Sequence, residues 1–248
     1  MKKTTLLLIL IPCLFLYSQP KNEAQIKLVK VNYKSSLTKP EETTKPNISD
    51  LNDRFIKYQE SFEFELFFDK SKSIFRLIDN IDLDDQSIEY KITRGLSNEI
   101  HYKDLINKEK IKQTTSFDEI FNVIKPFNEY TWEITKETKI IDGYTCYKAI
   151  CRYETYDDNR KTSLVFSPNV WFAPSLPYPF GPCGLDGLPG LVLEGTFNGR
   201  IYFYATKISF DDKTLNKIER PKNGKDITEK DFLKMDSENL KKLYESRQ

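Results

Sequence analysis

The chain has 248 residues, 39% apolar and 13% aromatic, which is enough length and apolar content for a substantial core, and its 17 Phe and 14 Tyr favour strands. With 38 basic against 37 acidic residues the net charge is +1, which excludes a surface built generally for nucleic acid or anionic membrane. A single histidine excludes a His-Glu-x-x-His zinc site or an imidazole cluster, and any Ser-His-Asp triad would have to be built on His101 alone.

Lys2 and Lys3 precede an apolar run from Thr5 to Tyr17, followed by Ser18 and Gln19, the pattern of a secretory signal peptide over residues 1–19. The run is shorter than the ~20 apolar residues of a spanning helix, and no other stretch is long enough. The sequence therefore predicts export across the inner membrane to the periplasm, with no transmembrane anchor after processing. Residues 20–248 are expected to form one domain.

Ile26, Leu28, Val29, Val31 and Tyr33 predict a first strand over 25–37. Thr38 to Asp53, with Pro40 and Pro46, reads as an exposed loop carrying one helical turn after Ser49. Phe62, Phe64, Leu66 and Phe68 then alternate with Glu63 and Glu65, which predicts a half-buried strand, turning at 69–73 into a hairpin partner at 74–78. Asp79, Asp82, Asp84 and Asp85 lack the glycine and terminal glutamate of a calcium loop and read as a solvated turn. Further strands are expected at 88–93, 99–105 and 110–115. Phe117, Ile120, Phe121 and Ile124 fall at helical spacing and predict a short amphipathic helix over 117–127, closed by Pro126. Strands follow at 130–140, 144–155 and 162–172, the first pair joined by Asp142-Gly143, a hairpin-turn dipeptide. After residues 191–194 and 199–210 resume strand character, Thr228 and Asp231 form a capping pair for a C-terminal helix. The expected fold class is α+β: a single large curved antiparallel sheet with one or two helices closing one face.

Three cysteines remain after processing. In an oxidising compartment one disulfide and one leftover thiol are expected. Cys146 and Cys151 lie five apart on an expected strand and point to opposite faces, so Cys183 is expected to pair with Cys146 or Cys151. Reaction chemistry is otherwise thin. His101 reads as an ordinary surface or partly buried histidine, adjacent acidic pairs sit in turns, and the glycines at 181–190 lack the Lys-Ser/Thr ending of a phosphate loop. No metal, cofactor or catalytic residue is expected, and the reading is of a protein that is not an enzyme.

The most constrained stretch is Gly181-Pro182-Cys183-Gly184-Leu185-Asp186-Gly187-Leu188-Pro189-Gly190-Leu191, where glycine recurs at every third position and proline fixes φ between. Trp171, Phe172, Pro174, Tyr178 and Phe180 lead into it. Aromatic rings on a stiff backbone make contact surface at low entropic cost, so Trp171 to Leu191 is read as a ligand- or partner-binding rim, the alternative being a plug at the end of the sheet. On the rim reading, Leu188→Asp and Leu191→Asp remove ligand capture and leave the fold intact.

Residues Ile134 to Ala149, Trp171-Phe172, Gly181-Pro182 and Gly187-Leu-Pro-Gly-Leu-Val-Leu-Glu194 together resemble the GLPGLI family of exported Bacteroidetes proteins, over residues 130–197. Val192 stands where the family has isoleucine, and Cys151 and Cys183 are additional. The resemblance implies an envelope protein and carries over no catalytic residue. The strand meander is also similar to the half-barrel of periplasmic lipoprotein carriers, at the level of fold alone. The expected function is a periplasmic carrier for a lipid or lipopeptide. The alternatives are an accessory subunit docked on an outer-membrane transporter or other envelope protein, and a thiol enzyme using an unpaired cysteine.

Overall fold

The computed structural model describes residues 28–37, 46–78, 87–157, 161–210 and 217–246, with the side chains of 46–52 left out. The expected signal peptide over residues 1–19 and the acidic run at 79–85 lie outside the described residues. In chain order the elements are β1 Val29–Leu37, α1 Pro46–Ser61, β2 Glu63–Phe68, β3 Lys72–Leu77, α2 Ile88–Ser97, β4 Ile100–Asp104, β5 Glu109–Ser116 and β6 Glu119–Ile124. They continue with β7 Glu133–Ile141, β8 Tyr144–Ile150, β9 Tyr153–Asp157, β10 Thr162–Phe166, β11 Asn169–Ala173, β12 Leu191–Thr196, β13 Ile201–Phe210, β14 Lys225–Thr228 and α3 Glu229–Glu245.

Twelve strands form one open, curved sheet in the order β14-β6-β5-β4-β3-β2-β1-β13-β12-β11-β8-β7, while β9 and β10 pair separately. Every described pairing is antiparallel except β14 with β6. The α+β class and the large curved antiparallel sheet are as expected, although three helices are described where one or two were anticipated. No helix among the described residues is long and apolar enough to cross a membrane.

The alternation along β2 sets the layering. Phe64, Leu66 and Phe68 join the main core with Val29, Val31, Tyr33, Phe75 and Phe203, whereas Phe67 points the other way, into a smaller cluster with Ile74, Tyr102, Ile111 and Ile218. The strand is thus covered on both faces, the second by the C-terminal segment. Within the main core the Phe64 and Phe75 rings stack at 5.5 Å, and Phe203 meets both edge-on at 5.2 and 5.9 Å.

Three local expectations are corrected. Residues 88–93 are not a strand. Ser87 caps the first turn by accepting from the Tyr90 amide, and Tyr90 packs at 5.5 and 5.9 Å on the Tyr58 and Phe62 rings, so the cap and tertiary packing override the β-branched content of α2. Residues 117–127 are not a helix. Phe117 and Asp118 take φ of 48° and 62°, making a tight turn between β5 and β6, after which Phe121 and Val123 are buried at period two. The one turn expected after Ser49 is a sixteen-residue helix starting at Pro46, a favoured first position. Its Gln59 donates through Nε2 to Ser35 Oγ at 2.9 Å, and Ser35 Oγ donates to the Gln59 carbonyl at 2.9 Å.

The C-terminal segment is held by polar contacts. Buried Asn122 donates to the Gly224 carbonyl at 3.0 Å and to Asp226 at 2.9 Å, and Arg220 bridges Glu109 and Asp226 at 2.8 and 2.6 Å. Thr228 caps α3 by accepting from the Asp231 amide, as the sequence predicts.

Candidate functional site

Between β11 and β12 the chain leaves the sheet and returns, and a 3-10 turn at Pro182–Gly184 marks the middle of the excursion. That turn touches β3, β4 and β12. Since β2, β1 and β13 separate β3 from β12 in the sheet, one short turn reaches both only where the sheet curls, so the loop lies within the curve. Leu176 and Phe180 enter the main core, and Phe68 packs on the Tyr178 and Phe180 rings at 4.7 and 5.7 Å. Leu185 and Leu188 enter a third cluster with Val170, Phe172 and Val192, on the other side of β11 and β12.

The backbone of the loop is paired to the sheet it leaves. The Leu191 amide donates to the Leu176 carbonyl at 2.9 Å, Val192 to Phe180 at 3.0 Å and Gly187 to Pro179 at 3.1 Å. The Tyr33 hydroxyl, buried in the core, donates to the Val192 carbonyl at 2.6 Å, and its burial raises the phenol pKa. Two glycines are required by close approach. A Cβ at Gly181 would run into the Leu185 carbonyl and the Val192 side chain, and one at Gly190 into the backbone of Ala173 and Pro174.

Asp186, the only charged residue of the run, anchors this loop to the opposite strands. Its carboxylate meets Lys103 of β4 at 2.5 Å and Lys110 of β5 at 3.0 Å, with all three side chains at most 6% exposed. Lys110 also meets Glu129 at 2.7 Å and donates to the Gly184 carbonyl at 2.8 Å. Glu129 continues to Lys125 at 2.8 Å, and Lys125 to Glu229 at the start of α3. Trp132 Nε1 donates to the Asp186 carbonyl at 2.8 Å, and the Lys103 and Lys110 ammonium groups lie 4.6 and 4.7 Å from the Phe127 and Tyr130 ring centres. Burial lowers the Lys103 pKa against the opposing pull of Asp186. Burial raises the Glu129 carboxyl, but Lys110 and Lys125 outweigh it and hold the group below its ordinary range. Three cations and three anions alternate along this chain of contacts, so no charge is left without an opposite neighbour.

His101 sits beside this network, edge-on to Phe75 at 6.2 Å. Its buried Nε2 has no hydrogen-bond partner, since Glu99 stands 3.6 Å away. Burial lowers its pKa, which makes the neutral ring the resting form. His101, Ser73, Lys103, Lys110, Gly181, Gly184 and Asp186 line a space of about 10 Å³, the size of one water. Among the described residues no three His, Cys, Asp or Glu side chains gather as a metal-binding group.

The expected disulfide is not formed: Cys146, Cys151 and Cys183 are all free thiols. They occupy different surroundings. Cys146 faces the main core from β8, where it donates to the Tyr144 carbonyl at 3.6 Å. Cys151 follows that strand and donates its amide to the Pro168 carbonyl. Cys183 stands at φ 50° in the 3-10 turn, in the field of Glu99 and Lys112. Burial pushes Cys146 up to about 11 and raises Cys183 well above the ordinary thiol range, the opposite of an activated nucleophile.

Most residues of the expected rim are interior. Phe172, Phe180, Gly181, Pro182, Gly184, Leu185, Leu188, Gly190 and Leu191 are buried, Trp171 and Tyr178 are half-buried, and Pro174, Gly187 and Pro189 are exposed. Trp171 lies under the Lys139 and Lys148 ammonium groups at 4.6 and 6.0 Å, and these pair with Glu194 and Glu137. Sequence reasoning missed Asp186 and its lysines. The available signal was a lone carboxylate inside an apolar Gly/Pro run, which demands a buried partner.

No family model and no curated protein matches the chain. Solved structures similar to the chain include PNGF-II in C2 and in P21 crystal forms, each 16% identical, with TM-scores of 0.53 and 0.51. They cover 85% and 84% of this chain but 32% and 33% of their own, so the chain spans about a third of their length. The likeness is one of fold.

Proposed function

We propose that this chain is an exported, non-enzymatic docking protein of the cell envelope, a member of the GLPGLI family by its motifs, working in the periplasm as an accessory subunit beside an envelope or outer-membrane partner. The observation that carries the proposal is the double anchoring of the loop, by apolar side chains in two clusters and by Asp186 in a buried ion-pair network. A lid that opened for a lipid or lipopeptide would have to break both sets of contacts, so the loop is better suited to holding a surface rigid than to moving. What it leaves outside is a small rim. Pro174, Ser175, Pro177 and Pro189 are exposed and Tyr178 half-buried, and Gly190 packs closely on Pro174 and so brings Pro189 beside it. Proline-stiffened positions of this kind lose little entropy when a protein partner covers them. The lifted thiol pKa values and the neutral, buried His101 favour contact over covalent chemistry.

Native mass spectrometry of the exported chain taken from its own envelope tests this. A protein partner is expected, lost in the double variant Pro174→Asp, Pro189→Asp with no change in Tm. A lipid-sized adduct held by the wild type and by the variant alike would contradict the docking reading and favour carriage.

A further inference from the structure

Within residues 217–246 only Ile218 and Pro221 are buried, so this segment lies on the body of the protein and adds little to its interior. Its path is nevertheless defined. Ile218 packs on Phe67, Ile74, Tyr102 and Ile111, on the face of the sheet opposite the main core. β14 then joins β6 at the end of the sheet, over four residues and in the one parallel pairing among those described. α3 follows, with no buried residue of its own. It touches the body through Phe232, edge-on to Phe121 at 5.6 Å, through Asp236, which accepts from Ser116 Oγ at 2.6 Å, and through Glu229 on Lys125.

The remaining attachments are polar. Arg220 and Glu109 pair with their side chains 33% and 28% exposed, and ion pairs of that kind hold weakly. Asn122 donates to the Gly224 carbonyl and to Asp226, and water satisfies Asn122, Glu109 and the edge of β6 once the segment is lifted. The apolar hold therefore rests on Ile218. We propose that residues 217–246 form a strap that lifts as one unit while the sheet stays folded, uncovering Phe67, Ile74, Tyr102 and Ile111 beside the open edge of β6. Two contacts make it a unit. Arg220 ties the stretch after Ile218 to Asp226 of β14 at 2.6 Å, and Thr228, the last residue of β14, caps α3 by accepting from the Asp231 amide. A helix of 17 residues without a buried side chain is marginal alone in water, so α3 melts as the strap leaves. The loop at 171–191 stays in place, because Lys125 keeps Glu129 when Glu229 departs and the buried network beyond it is not broken.

Amide hydrogen exchange of the exported chain tests the strap. The β14 amides are expected to exchange through an opening about a hundredfold or more as frequent as the one that exposes the β2 amides. Ile218→Ala is expected to raise exchange in β14 and at Phe232–Met235 of α3 by one common factor of about thirtyfold or more, although Ile218 belongs to neither element. Exchange of β14 in step with β2 would make the segment a fixed part of the fold and overturn the strap. So would unequal factors in β14 and α3, which would reduce the motion to independent fraying of the chain end.

Discussion

Asp186→Asn is expected to destabilise the protein by about 3–5 kcal/mol, because removing one member of a buried ion-pair network leaves cations in the interior without compensation. The substitution preserves shape, so packing is not the cause. Lys110 keeps Glu129 as a partner, while Lys103 keeps only the Phe127 carbonyl at 3.3 Å and the Phe127 ring. Lys103 therefore carries most of the loss. Its folded pKa is already depressed by burial, so between that value and the unfolded one the unfolded chain binds more protons, and stability rises with pH across the window. Without Asp186 the depression deepens. Chemical denaturation of wild type and variant should show the deficit shrinking as pH is raised from neutrality toward the ordinary lysine pKa. A deficit constant with pH would mean that the lysines are not the cause.

Leu191→Asp is expected to abolish folding, and Leu188→Asp nearly so. Leu191 is 0% and Leu188 2% exposed, in the main core and in the third cluster respectively. A carboxylate in either place has no partner, and its burial exceeds the whole stability of an ordinary domain unless the group protonates or the site opens. This reverses the expectation drawn from the sequence, in which both leucines belonged to an accessible rim and their replacement spared the fold. Circular dichroism of the purified variants decides it: loss of β signal is expected, and a folded Leu191→Asp protein would contradict the burial of the loop.

The misread elements share a cause. Period-two patterning made β2 and its hairpin partner readable, as Asp142-Gly143 did the turn between β7 and β8. Local spacing could not show that Phe117 and Asp118 form a turn, since Ile120, Phe121 and Ile124 fit a helix as well as a strand edge. Nor could it show that Ser87 starts a helix, because the decisive contact is Tyr90 on Tyr58 and Phe62. The Gly/Pro run was legible as rigid, but rigidity does not say which side faces water. That depends on Lys103 and Lys110, some eighty residues earlier in the chain, reaching Asp186 across the curl of the sheet.

Amide hydrogen exchange at Leu185, Leu191 and Val192 tests most directly whether the loop is a fixed part of the core. Their donors reach the carbonyls of Pro182, Leu176 and Phe180. Exchange is expected only through global unfolding, at the same free energy as the central β2 amides. Exchange through a local opening several kcal/mol below that value would show a mobile lid, and would return the interior of the sheet to a ligand.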